Sequence, residues 1–64
     1  MNPDTKRQIE NFAWDCTVGQ GNDGDMDQDV VNALGVLLGH APTNDELLTL
    51  QRAWNRCQQE MAQP

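Results

Sequence analysis

The chain predicts an all-α fold, a small three-helix bundle forming a single domain over residues 1–64, and three observations carry that expectation. Apolar residues recur at helical spacing in three segments, approximately 3–18, 26–39 and 44–62. Each segment opens on residues that cap helices, and the breaks between them hold glycine or proline. The one stretch with strand character, VVNALGVLL, has no second strand to pair with.

The first helix begins at Asn2-Pro3, where Asn caps and Pro suits the first turn, and runs to Thr17 or Val18 before Gly19. Ile9, Phe12, Ala13 and Cys16 form one apolar stripe. Trp14 lies ~140° away from Ile9 at ~100° per residue, with Val18 one turn beyond it, which gives this helix a second apolar face.

The second helix starts near Asp25 or Asp27 and ends at Gly39, ahead of His40-Ala41-Pro42. Val30, Val31, Ala33, Leu34, Leu37 and Leu38 cover so broad an arc that the sequence predicts it to be the most buried, central helix. The third helix opens on Thr43-Asn44-Asp45-Glu46, the pattern of a capping box. Leu47, Leu50, Trp54, Cys57 and Met61 then follow a heptad-like seam suited to bundle packing or to a dimer. Short connections make the expected arrangement up-down-up, with the first and third helices parallel and Trp14 and Cys16 level with Trp54 and Cys57.

A chain of 64 residues buries only ~60% of the surface its unfolded form exposes, so an extended substrate cleft is not expected. Ten acidic residues against four basic ones set a formal charge of −6, which disfavours a protein whose task is to hold a phosphate backbone and favours a basic partner. MNPDTKRQIEN lacks a signal-peptide core and no run reaches the ~20 apolar residues of a membrane span, so the expectation is a soluble cytoplasmic protein. Cys16 and Cys57 lack CxxC spacing and a His cluster, and are read as two reduced, semi-buried thiols. No cofactor is implied.

The least ordinary stretch is GQGNDGDMDQDV, residues 19–30, with Asp23, Asp25, Asp27 and Asp29 at every second position. A calcium EF-hand loop needs Gly at its sixth position and Glu at its twelfth; starting from Asp23 these are Gln28 and Leu34, so no metal site is expected. Acidic residues at a helix start meet the partial positive charge of its N-terminus, but that effect fades within one turn and accounts for two of the four. The surplus points to a partner. Cys16 with His40 lacks an orienting third group and an oxyanion-binding loop, which argues against catalysis.

The expected function is therefore that of a non-catalytic binding protein, an inhibitor or regulator that covers a basic surface, such as the nucleic-acid groove of a partner protein. In size, charge and helicity the chain is similar to compact phage- and plasmid-encoded inhibitors, including anti-CRISPR and DNA-mimic proteins, without sharing a motif with them. Asp23, Asp25, Asp27 and Asp29 are the expected recognition residues, with Trp14 as the apolar anchor. Two alternatives remain open. One is a self-assembly module, a homodimer through the Trp14/Val18 face or the third-helix seam. The other is a helix-turn-helix DNA-binding regulator using Thr43, Asn44, Arg52, Asn55 and Arg56, which Asp45 and Glu46 oppose electrostatically.

Overall fold

In the computed structural model, residues 1–62 are described, and among them the chain forms three α-helices: α1 (Pro3–Trp14), α2 (Gln28–Leu38) and α3 (Asn44–Ala62). A π-helical turn, Asp15–Gly19, prolongs α1. The described residues contain no strand.

Each α-helix starts where its side chains can satisfy free backbone amides. The Asn2 side chain accepts from the Asp4 amide at 2.8 Å, with Pro3 in the first turn. The Asp27 side chain accepts from the Val30 amide at 3.0 Å and so caps α2. At α3 the box is reciprocal: Thr43 Oγ1 accepts from the Glu46 amide at 3.2 Å, and Glu46 Oε1 accepts from the Thr43 amide at 2.8 Å. α2 ends on Gly39 at φ +79°, a left-handed conformation in which its amide returns to the Gly35 carbonyl at 2.9 Å.

α1 and α3 form the principal pair and run parallel. Met1 meets Thr49 at 3.8 Å, Glu10 meets Arg56 at 3.8 Å, and Trp14 shares a depression with Cys57 and Glu60, so the two helices advance together. The core consists of Ile9, Ala13, Leu34, Leu50 and Ala53, with Phe12, Met26, Val30 and Leu38 packed against it, and Trp54 is also sealed, at 1% exposure. Each fully buried large aliphatic contributes about 1.5–3 kcal/mol relative to exposure.

Burial corrects the expected place of α2. Only Leu34 on it is fully buried; Val30, Val31 and Leu38 are half-buried, while Ala33 and Leu37 lie exposed and Val36 is 84% exposed. The reason is geometric. Leu34 packs into the core beside α1 and α3 residues with Val30 and Leu38 next to it, and no further element among the described residues covers the other side of the apolar arc. α2 is peripheral, and α3 is the helix most fully enclosed.

The end of α1 also departs from the expected regular helix. Thr17 is fully buried, and its hydroxyl donates to the Ala13 carbonyl at 2.7 Å, where the backbone widens to π spacing. The Asn22 amide then returns to the Thr17 carbonyl at 2.9 Å, across a turn that uses Gly21 at φ +70°. Thr17 continues the i+4 row of Ile9 and Ala13. Its polar side chain hides it from a reading based on apolar spacing.

Candidate functional site

The acidic stretch is held as a definite loop. The Gly24 carbonyl accepts the indole N–H of buried Trp54 at 3.0 Å and also the side-chain amide of Gln58. Asn22 Oδ1 accepts from the Gly24 amide at 3.0 Å, closing a local turn. The loop is thus fastened to α3 at its middle and enters α2 through the Asp27 cap.

This fastening sorts the four aspartates. Asp27 is occupied as the cap of α2, and Asp29 stands in the first turn of that helix, where the dipole favours it. Asp23 and Asp25 flank the anchored Gly24, and all four side chains are on exposed residues. Among the described residues, no basic side chain forms an ion pair with any of them. Nor is any group of three His, Cys, Asp or Glu side chains, among those residues, placed to hold a metal ion.

Trp14, 47% exposed, lies in a different depression, bordered by Glu10, Asn11, Ala53, Arg56, Cys57 and Glu60. None of the four aspartates borders it, whereas Asp23 borders a depression with Gln58, Met61 and Ala62. Beside the indole, Arg56 reaches Glu10 at 3.8 Å. Trp14 and Asp23, both expected to meet a partner, thus border different depressions.

The feature that sequence reasoning missed is a groove between α2 and the turn that follows it. Gln28, Val31, Asn32, Gly35 and Val36 form its helical wall, and Gly39, His40, Ala41 and Pro42 the opposite one, around a volume of about 640 Å³. Gly35 allows the turn to come close: a Cβ there would stand 3.4 Å from Pro42 Cδ and 3.5 Å from the His40 carbonyl oxygen. The available signal was Gly35 inside an otherwise apolar helix followed by Pro42, a pair that reads equally well as a weak spot and a loop.

His40 Nε2 lies 3.1 and 3.2 Å from the two carboxylate oxygens of Glu46. Because a carboxylate only accepts, the imidazole presents its Nε2 proton. The backbone amide of Thr43, with help from His40 and the Thr43 hydroxyl, holds the Glu46 carboxyl below its ordinary range despite opposing desolvation. His40 therefore serves the start of α3, while Cys16 lies in the π-helical turn. Burial, reinforced by the neighbouring Asp15 charge, raises the Cys16 thiol above its ordinary value and keeps it protonated at neutral pH. Both cysteines are free thiols.

None of the described helices is long and apolar enough to cross a membrane. No protein-family model, curated protein or solved structure matches the chain.

Proposed function

We propose that this protein is a non-catalytic binding protein that covers a basic surface of a partner protein and thereby inhibits or regulates it. One observation carries the reading: an acidic loop without internal counter-ions among the described residues is anchored at Gly24 to Trp54 and Gln58, with Asp23 and Asp25 on exposed positions to either side. Carboxylates on a restrained loop lose less conformational freedom on binding than those on a free tail, so their charge is available for orientation as well as for encounter. Asp29 extends the field along α2, and Asp27 contributes its charge while capping.

The nucleic-acid-binding alternative is less well supported. Arg56 is engaged with Glu10, and the start of α3 carries Asp45 and Glu46 where a recognition helix approaches phosphate.

The test is capture from host lysate by wild-type chain and by the Asp23/Asp25/Asp27/Asp29→Asn variant, followed by association kinetics with the retained protein. Asn caps helices about as well as Asp, so the variant retains the α2 start. The expected result is a basic protein held by the wild type and lost by the variant, with an on-rate that falls as salt screens charges beyond ~8 Å at physiological ionic strength. Equal capture and equal on-rates at low salt would overturn the proposal.

A further inference from the structure

We infer that the Asp23–Gly24 bond is a modification site, at which the aspartate converts spontaneously to isoaspartate and releases the acidic loop from α3. The reaction needs a carboxyl, the next backbone amide and water, and is independent of what the loop binds. Seven aspartates stand in the chain, and Asp23 alone is followed by glycine; no asparagine is. Asp4, Asp15, Asp29 and Asp45 are held in helical or π-helical backbone, Asp27 is engaged as the α2 cap, and Asp25 precedes the larger, half-buried Met26.

Asp23 and Gly24 are both exposed and lie outside any helix, and the Asp23 carboxylate forms no ion pair among the described residues. Gly24 has no Cβ to crowd the approach to its nitrogen. Apart from its chain neighbours, only Asn22 Oδ1 stands near the place a Cβ would take, at 3.4 Å. The Gly24 amide is bonded to that same exposed side chain at 3.0 Å rather than to a helix carbonyl, so rotation of one surface side chain frees it.

In the reaction the Gly24 nitrogen attacks Asp23 Cγ. The new N–Cγ bond closes a succinimide ring, while the amide proton and the carboxyl hydroxyl leave as one water. Solvent water then adds its hydroxyl to the main-chain carbonyl carbon of Asp23, the bond from that carbon to the Gly24 nitrogen breaks, and the remaining proton goes to the nitrogen. The product keeps its composition and its carboxylate, but its main chain runs through Cβ and Cγ and is longer by one carbon.

That carbon falls between two fixed points. On one side the Asn22 amide is bonded to the Thr17 carbonyl at 2.9 Å; on the other the Gly24 carbonyl accepts the Trp54 indole N–H at 3.0 Å and the Gln58 side-chain amide. Lengthening the chain between them moves the Gly24 carbonyl off the indole, so the N–H of a side chain that is 1% exposed loses its partner. The site thus alters how the acidic loop is held without altering its charge.

The test incubates the full-length wild-type chain and Asp23→Glu at pH 6 and 37 °C, in buffer and in concentrated urea, and measures isoaspartate with an isoaspartyl methyltransferase and a labelled methyl donor, located by peptide mapping. The expected result is label that rises with time in the folded wild type, maps to residue 23 and is lost in Asp23→Glu, whose longer side chain closes no succinimide. A species lighter by one water precedes it. The isoaspartate form, separated by chromatography and returned to buffer, is expected to show amide exchange several-fold faster over residues 22–27 and a shifted Trp54 Nε1 proton resonance. Label that appears in the unfolded chain but not in the folded one would overturn the site, since the fold would then keep the Gly24 nitrogen from Cγ. Label mapping to another aspartate would overturn it too. An isoaspartate form with unchanged exchange and an unmoved Trp54 resonance would overturn the release of the loop.

Discussion

α2 and α3 use apolar residues in opposite ways. α2 is apolar for most of its length and buries one residue fully, Leu34, while α3 is largely polar and buries Leu50, Ala53, Trp54, Cys57 and even Glu46. The contrast comes from neighbours rather than from content. α3 is flanked by α1, the π-helical turn and the acidic loop, each of which closes part of its surface, whereas α2 leans on the core with one edge. A wide apolar arc in a domain this small exceeds what the rest of the chain can cover, and the excess becomes surface. Val36 and Leu37, at 84% and 45% exposure, are that excess.

The largest effect that would sharpen this comparison is expected at Trp54. Trp54→Ala removes a sealed aromatic at a cost of about 3–5 kcal/mol. A domain of this length is typically stable by only about 3–10 kcal/mol, so the variant should be largely unfolded at 37 °C by circular dichroism. Trp54→Phe retains most of the packing and deletes the bond to Gly24; faster amide exchange across residues 22–27 at modest loss of melting temperature would identify that bond as the loop's anchor.

Within α2 the contrast should repeat on a smaller scale. Leu34→Ala is expected to cost about 2–5 kcal/mol and Val36→Ala to fall within about 0.5 kcal/mol, measured by chemical denaturation. Equal losses at the two positions would break the comparison, because they would mean that the outer face of α2 is covered in solution.

Next in size is the start of α3. Thr43→Ala removes the cap at a cost of about 0.5–2 kcal/mol. Glu46 adds a pH dependence of defined sign. Its carboxyl titrates below its unfolded value, so the stabilisation is fully present above the ordinary glutamate pKa and is lost as pH falls through the lower, folded one. Unfolding free energy followed from pH 7 to pH 2 should show this acid loss in the wild type and less of it in Glu46→Gln.

The smallest effect concerns Cys16. With its thiol held protonated by burial and Asp15, alkylation at pH 7.5 in a Cys57→Ala background should be slower than for an unstructured cysteine, and Asp15→Asn should recover part of the rate. Asp15→Asn leaving the rate unchanged would assign the protection to burial alone.

Much of this architecture was legible from the chain because the signals were local. The caps at Asn2, Asp27 and Thr43–Glu46, the stop at Gly39, the Ile9–Ala13 stripe and the Leu50–Trp54–Cys57 seam each depend on residues within a turn or two of one another. Even the parallel course of α1 and α3 follows from two short connections. The order of burial was not legible. Periodicity says which side of a helix is apolar, not how many neighbours arrive to cover it, so α2 looked central and proved peripheral. The candidate site divided along the same line. The sequence located the aspartates and offered two uses for them, as a helix entrance and as a recognition surface, while the assignment of Asp27 to the cap and the anchoring of Gly24 by Trp54, thirty positions away, depend on the folded chain.

By itself, then, the sequence determined the helical class, the capped starts of the helices and the excess of negative charge, all set by backbone chemistry and composition over short distances. Only the tertiary structure decided which apolar face stays open, that Thr17 is buried where α1 widens into a π turn, and that the Pro42 turn closes against Gly35. Those outcomes depend on which elements compete for a limited core, and that competition is settled by packing in three dimensions.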